Sequence, residues 1–219
     1  LVVDWEPSIE NLRKIRPTFI PKDEFSAEKG CKQTQAEYDR IQKQWDCILC
    51  GCCASECSKL TADSSDYMEP FVFTHAHRAT FDSRGKDPML HAKAAVLGGL
   101  WNCVHCQECA DRCPKGISAA DDIAALRVFT QKQGINTGEG PDHANAFLTD
   151  LVEGSGRLNE ILLALRSEGA MAVSKTDIAL KLMGAGKMNP LHIFGEEDIE
   201  GHKELVEMIK AARAAADKE

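Results

Sequence analysis

The hydrophobic and polar positions of this chain recur mainly with the period of amphipathic helices, and alternating strand patterns are almost absent. The pattern predicts helices over residues 34–44, 71–81, 88–97, 118–134, 141–153, 157–168, 175–184 and 197–216. Ser118 suits a helix N-cap and Gly134 a helix stop. Before residue 34 the chain is polar, carries Pro7, Pro17 and Pro21, and is predicted to be an extended lead-in. The predicted fold class is mostly α.

Two stretches of the chain repeat each other. Nine of the ten cysteines lie within residues 47–57 and 103–113, which we call window one and window two. A Trp two residues before each window, four cysteines and one Ala recur in register. The matching residues are Trp45, Cys47, Cys50, Cys53, Ala54 and Cys57 in the first copy, and Trp101, Cys103, Cys106, Cys109, Ala110 and Cys113 in the second. Two copies of one unit predict pseudo-twofold packing around two metal centres.

The spacing C-x2-C-x2-C-x3-C is that of two-cluster bacterial ferredoxins, in which the first three thiolates bind one 4Fe–4S cluster and the fourth binds the other. In this spacing the first three cysteines lie on a tight loop, and we expect the following helix to carry the fourth. The predicted ligands of cluster one are Cys47, Cys50, Cys53 and Cys113. The predicted ligands of cluster two are Cys57, Cys103, Cys106 and Cys109. Small residues such as Gly51 and Ala54 are expected to let the backbone approach the clusters.

Other metal or redox chemistry fits these windows less well. Structural zinc normally uses two C-x2-C pairs separated by a dozen or more residues, and no βαβ pattern surrounds either C-x2-C as a thioredoxin-like motif requires. Cys52 is out of register and Cys31 has no partner spacing, so both are predicted to be unliganded.

Other motifs are interpreted as structural. His75 and His77 are two apart on a predicted helix and do not share a face, which argues against a metal pair. His105 is interpreted as a loop histidine, and the alternative is that it tunes the reduction potential of a cluster. Trp45 and Trp101 are expected either to shield the clusters from water or to anchor the core. Residues 184–187 fail the phosphate-loop pattern.

Composition and charge narrow the function further. The chain has 219 residues and a net charge of −8, which argues against general affinity for nucleic acid or anionic lipid. No run of 18 apolar residues exists and no signal peptide is visible, while the start at Leu1 rather than Met indicates that something upstream has been cut away. Because two predicted clusters are accompanied by no catalytic constellation, we expect a non-catalytic electron carrier whose donor and acceptor lie in other domains or subunits.

At these residues the chain resembles the C-terminal part of the iron–sulfur subunit of succinate dehydrogenases and fumarate reductases. The resemblance covers about residues 1–133. It rests on segments 1–4, 47–53 and 113–116, with Pro70, Arg78 and residues 82–84 between the windows. It implies a two-cluster α-helical ferredoxin domain, with a 2Fe–2S cluster in an N-terminal domain outside this chain.

At two points the chain departs from the usual pattern of this family and resembles a less common branch of it. The usual family lacks a cysteine at the position of Cys106 and holds a 3Fe–4S cluster there, and residues 134–219 extend past the usual end. Both features are similar to the branch with heterodisulfide-reductase-like subunits, such as the 8-methylmenaquinol:fumarate reductases and thiol:fumarate reductases. In that branch a separate cysteine-rich subunit or domain takes the place of the membrane anchor.

The resemblance implies a relay of electrons between a flavoprotein fumarate/succinate subunit and a cysteine-rich, quinone- or thiol-reactive subunit. The alternative is the ferredoxin-like subunit of a heterodisulfide reductase. We expect three parts: a lead-in and helix over 1–44, the cluster domain over 45–133, and a helical docking extension over 134–219. We expect the protein to be soluble or peripheral to a membrane, with the cytoplasmic side favoured. The alternative is the periplasmic face, which the chain would reach together with an exported partner subunit.

Overall fold

A computed structural model describes residues 2–136 and 138–216 of the chain. The chain forms two compact units, residues 1–135 and 136–219. The first residue of the predicted lead-in, Leu1, and residues 217–219 of the predicted extension lie outside the described residues, as does residue 137.

Unit one contains eight α-helices within the described residues. They are α1 (Glu6–Lys14), α2 (Gln35–Asp39), α3 (Cys52–Ser55), α4 (Ser58–Ala62), α5 (Pro70–Phe81), α6 (Pro88–Leu97), α7 (Glu108–Asp111) and α8 (Ala119–Lys132). No strand forms in the part of the chain that the structure describes, where a single isolated bridge joins Pro21 and Gly85. The mostly α fold predicted from the sequence is confirmed.

The three long helices of unit one begin where the sequence predicts, because each has a residue suited to its first turn. Pro70 opens α5 and Pro88 opens α6, at positions where the missing N–H of proline does no harm. The Asp87 side chain accepts a hydrogen bond from the backbone of Leu90 at 3.2 Å. Ser118 caps α8 in the same way, and its hydroxyl accepts from Asp121 at 3.3 Å.

Helix α5 forms the centre of unit one, packed between α6 and α8. Nine of its twelve residues are buried, which explains why its sequence is rich in apolar and small polar residues. The fully buried side chains of this core include Val72 and Phe73 of α5 itself, and Leu100, Ile123 and Leu126 around it. Burial of such side chains stabilises the fold by roughly 1.5–3 kcal/mol each, so this core holds both windows in place.

The N-terminal segment differs from the extended lead-in that the sequence predicts. Residues Glu6–Lys14 form α1, because Pro7 lies in the first turn, where proline is tolerated, and does not break the helix. The helix predicted over 34–44 is also shorter. Thr34 caps it as a capping box, but it ends at Asp39, and a 3₁₀ segment, Lys43–Asp46, leads into window one.

Unit two consists of helices and short 3₁₀ segments. Its helices are α9 (Glu139–Val152), α10 (Glu160–Glu168), α11 (Thr176–Gly184) and α12 (His202–Ala216). Helix α9 packs on α10, and the buried Asp150 of α9 pairs with Arg166 of α10. Two 3₁₀ segments that the sequence does not predict, Gly169–Lys175 and Pro190–Phe194, connect these helices. Within the described ranges, every helix is too short or too polar to cross a bilayer.

Candidate iron–sulfur centres

The two cysteine windows fold into the same backbone shape. Helices α3 and α7 occupy matching positions and carry the third cysteine of each window, Cys53 and Cys109. A 3₁₀ segment precedes each window, Lys43–Asp46 in the first and Leu100–Asn102 in the second. The internal repeat read from the sequence is therefore a repeat of structure.

The loop after each first cysteine has a left-handed turn that directs a backbone donor back at the sulfur. Leu49 has a φ of 54° and His105 a φ of 56°. The N–H of His105 donates to the Cys103 sulfur at 3.4 Å, and the N–H of Leu49 donates to Cys47. Hydrogen bonds of this kind stabilise the thiolate, which is the form that binds iron.

The third cysteine of each window lies at the N-terminus of a long helix. The backbone N–H of Phe71, in the first turn of α5, donates to Cys53, and the N–H of Ala120, in the first turn of α8, donates to Cys109. Burial raises the pKa of Cys53 to about 12 and that of Cys109 to about 11. The positive end of each helix dipole and these N–H groups favour the thiolate in return, so these two sites are prepared for the negative charge that a thiolate ligand would carry.

The fourth cysteine of each window reaches the other window. The Cys47 thiol interacts electrostatically with Cys113 and Cys50, and the Cys109 thiol with Cys103, Cys106 and Cys57. Contrary to the expectation that the following helix carries them, the fourth cysteines lie just after the short helices. Cys57 is the extended N-cap of α4.

The thiols of the two windows also meet at their centre. Cys53 interacts electrostatically with Cys109, the matching cysteine of the other window, and packs against the buried group of Cys109, Ala119 and Ala120. A small cavity is lined by Cys57, Cys103, Cys106 and Cys109 together with Tyr67, Pro70 and Gln107. All four thiols predicted for cluster two thus face one space, while Cys50 and Cys106 lie at the exposed edges.

Two arginines repeat the symmetry of the windows. Arg78 lies over the Trp45 ring, 4.0 Å from its centroid, and near Cys47. Arg127 lies over the Trp101 ring at 5.0 Å, and its guanidinium donates to the carbonyl oxygens of Leu100 and Cys103 at 2.8–3.1 Å. Each window therefore has a partly buried positive charge beside its first cysteine, which offsets the charge of a bound cluster. The two Trp residues support these arginines.

The repeat thus extends beyond the windows into the helix that follows each one. Arg78 lies seven residues after Phe71, and Arg127 seven residues after Ala120. Sequence reasoning missed this because these helices share no cysteine, and the linker before the second helix is shorter. Alignment of the two helices on their arginines shows the relationship.

The structure also shows the surroundings of Cys52, Gly51, His75 and His77, which the sequence alone does not give. Cys52 lies within hydrogen-bonding reach of Cys50, which raises the pKa of Cys52. Gly51 faces Trp5, since a Cβ there would lie 3.1 Å from Trp5 Cη2, and its small size serves this contact. His75 and His77 are buried on α5, where burial lowers the pKa of each to about 4.

Four soft thiols per group, with backbone donors and an arginine beside them, fit an iron–sulfur cluster. Among the described residues, no three His, Cys, Asp or Glu side chains converge tightly enough to hold a single metal ion.

Comparison with known proteins agrees with this geometry. Residues 24–117 match the family described as "4Fe-4S dicluster domain". The chain is 68% identical, over 98% of its length and 67% of the relative, to the 8-methylmenaquinol:fumarate reductase iron–sulfur subunit of Wolinella succinogenes. It is 32% identical to the fumarate reductase iron–sulfur subunit of Escherichia coli O6:H1, over 60% of this chain and 54% of the relative.

A mitochondrial succinate dehydrogenase [ubiquinone] iron–sulfur subunit 2 of Oryza sativa subsp. japonica is 27% identical over 60% of this chain and 43% of its own length. The chain thus spans about two thirds of the Wolinella relative and about half of the other two. By its identity and coverage with the Wolinella protein, the chain belongs to the iron–sulfur subunits of the fumarate reductase and succinate dehydrogenase family, which are electron-transfer subunits of oxidoreductase complexes.

Proposed function

We propose that this chain holds two 4Fe–4S clusters and relays electrons through them between two partner subunits. Cys47, Cys50, Cys53 and Cys113 hold cluster one in this proposal, and Cys57, Cys103, Cys106 and Cys109 hold cluster two. The observation that carries it is the exchange of the fourth cysteine: Cys47 interacts with Cys113, and Cys109 with Cys57. This arrangement is the one that the two-cluster ferredoxin spacing requires.

When bound, each cluster supplies a one-electron redox centre. The chain's own residues prepare the site for the added negative charge. The N–H groups of Phe71 and Ala120 donate to the third thiols, and Arg78 and Arg127 lie beside the first thiols. Cys53 packs against the buried group that contains Cys109, so one ligand of each proposed cluster lies where the two windows meet.

The partners in this proposal are a flavoprotein subunit that reduces fumarate or oxidises succinate, and a cysteine-rich, heterodisulfide-reductase-like subunit that reacts with a quinol or thiol. The printed name of the Wolinella relative, an 8-methylmenaquinol:fumarate reductase subunit, supports a quinol as the donor. A 2Fe–2S domain joined to the N-terminal side would continue the path to the flavin. The chain would then lie peripherally on a membrane through its partners.

The segment after window one supports a quinone site on another subunit. In ordinary members of the family that this chain resembles, a proline and tryptophans after the first window help to form the quinone pocket. Here Ser58–Ala62 forms α4, followed by Asp63, and the segment contains neither residue type. Lys59 of this helix pairs with Asp66 at 2.6 Å, which gives this surface a polar character unsuited to an apolar head-group pocket.

Unit two supports a docking role for residues 134–219. Its exposed side chains include many large apolar ones: Met171, Val173, Ile178, Leu180, Leu191, Phe194 and Met208 are each at least half exposed. We take this abundance of exposed apolar side chains as support for a role in binding another protein. In this proposal they contact the cysteine-rich subunit.

Metal analysis and spectroscopy of the purified chain test the proposal. We expect about eight irons and eight sulfides, spin-coupled 4Fe–4S signals on reduction, and no strong 3Fe–4S signal on oxidation. The isolated chain should neither reduce fumarate nor oxidise succinate. Stoichiometric zinc in place of iron, or fumarate turnover without a partner, would contradict the proposal.

An azidoquinone photolabel applied to the intact complex tests where the quinone binds. Label on the cysteine-rich subunit supports the assignment. Label concentrated on residues 58–63 of this chain refutes it.

A further inference from the structure

The two windows are alike in their backbone donors and arginines, but one side chain breaks this symmetry. Tyr67 lies three residues before α5, and the residue three before α8 is Gly116, which has no side chain. A Cβ on Gly116 would lie nearest to Lys43, just before window one. Tyr67, by contrast, lies against window two, so only the thiols of cluster two have this neighbour.

Tyr67 is placed to act on those thiols. It is 5% exposed and lines the cavity that Cys57, Cys103, Cys106 and Cys109 share. Tyr67 and Cys103 line the same cavity, and the Tyr67 hydroxyl lies close to the Cys103 thiol. A phenolic hydroxyl is a hydrogen-bond donor at physiological pH and can donate to a thiolate sulfur.

The backbone on either side of Tyr67 is fixed to the lead-in of window two. The Met68 N–H donates to Gly98 at 3.0 Å, and the Asn102 side chain donates to the Asp66 carbonyl at 2.9 Å and to its carboxylate at 2.8 Å. The Tyr67 ring packs on Phe73, with ring centroids 5.3 Å apart. The hydroxyl is therefore held in place before any cluster is bound, which is what a positioned donor needs.

We propose that Tyr67 is a positioning residue whose hydroxyl donates to the Cys103 thiolate and raises the reduction potential of cluster two, leaving cluster one unaffected. The physical reason is that a cluster gains negative charge on reduction, and a donor to its sulfur stabilises the more negative state. This inference rests on the proposed cluster ligands.

The test is a redox titration of the cluster-loaded chain followed by electron paramagnetic resonance, comparing wild type with Tyr67→Phe. The variant keeps the ring and its packing on Phe73 but loses the donor. At a fixed ambient potential, we expect the ratio of reduced to oxidised cluster two to fall by about three- to tenfold in the variant. This range corresponds to the net free energy of one hydrogen bond. The ratio for cluster one should not change. The matched control is Tyr38→Phe, at the other tyrosine of the chain, which is exposed on α2.

A second measurement keeps the inference testable if Tyr67→Phe loses its cluster. In the Tyr38→Phe background, biosynthetic 3-fluorotyrosine labels Tyr67 alone. The fluorinated phenol is a stronger donor of the same shape, so the potential of cluster two should rise.

An unchanged cluster-two potential in both experiments, with two 4Fe–4S clusters present, overturns the role of Tyr67 and leaves the proposed function standing. A wild-type chain without two such clusters overturns both.

Discussion

Gln107 adopts the left-handed backbone conformation that Gly51 adopts at the matching position of the other window, with φ values of 69° and 77°. Both residues lie just before the short helix that carries the third cysteine. A left-handed conformation costs a non-glycine residue about 1–2 kcal/mol. The shape of the loop, which must place three thiols around one space, therefore overrides the preference of Gln107.

Gly51→Ala should destabilise unit one through two separate effects. The new Cβ would be strained at a φ of 77° and would lie 3.1 Å from Trp5 Cη2, so we expect a loss of about 1–2 kcal/mol from strain, and more from the contact. Gly134→Ala is the matched control, because Gly134 has a φ of 82° and nothing lies within 4 Å of its Cβ position. Thermal unfolding of the cluster-loaded chain measures both, and equal losses in the two variants would show that Trp5 is not involved.

Most of the long helices could be predicted, because their boundaries depend on local signals. Ser118 and Pro70 act within one turn of the helix that they start, and the structure places them as the sequence indicates. Helix α1 was missed because a proline in a first turn looks the same in a sequence as a proline that breaks a helix.

The surroundings of the thiols could be predicted only in part. The cysteine spacing already implied that the windows exchange ligands, and the structure brings those thiols together. The roles of Tyr67 and Arg127 depend on contacts between distant segments, and no periodicity in the sequence reports such contacts.

Cys106→Ile should convert cluster two to a 3Fe–4S cluster and leave cluster one intact, because three thiolates hold three irons. The oxidised variant should then show a 3Fe–4S resonance, which we expect the wild-type protein to lack. Cys52→Ala is the control, at a cysteine that lies close to Cys50 but out of register, and it should change little. Loss of a cluster in Cys52→Ala, with no change in Cys106→Ile, would show that the ligand assignment is wrong.

Arg127→Lys should weaken window two more than a charge-conserving change normally would. The guanidinium donates to two carbonyl oxygens at once and lies over the Trp101 ring, and a lysine ammonium cannot reproduce this fork. We expect a loss of about 1–3 kcal/mol and faster release of iron from cluster two than from cluster one. Chelator-driven iron release measures this, with Arg112→Lys, a half-exposed arginine of the same window, as the control. Equal release from the two variants would contradict a specific role for the fork.

Asp122→Asn should stabilise the chain, and more so as the pH rises. Asp122 is 3% exposed on α8, accepts a hydrogen bond from the Gln44 side chain at 2.7 Å, and lies 3.7 Å from the buried His77 of α5. Burial raises the pKa of Asp122 to about 6 from an ordinary 3.8. Between these two pH values the folded state binds the proton more tightly than the unfolded state. The free energy of unfolding therefore falls as the pH rises from 3.8 to about 6.

At pH 7.5 the ionised, buried Asp122 carries a penalty of about 3 kcal/mol, and at pH 5 only about half of that has developed. Asparagine has no charge to bury and still accepts from Gln44, so its stabilising effect should grow by about 1–2 kcal/mol between these two pH values. His77, whose pKa burial lowers to about 4, contributes the opposite slope in both proteins.

Thermal midpoints of the two cluster-loaded proteins, measured at one scan rate, provide the comparison. Asp121→Asn, at the exposed neighbour in the same helical turn, is the control and should stabilise the chain less than Asp122→Asn does, because its carboxylate is not buried. A shift for Asp122→Asn that is equal at pH 5 and pH 7.5 would mean that this carboxyl is already protonated, or ionised without penalty, across the range.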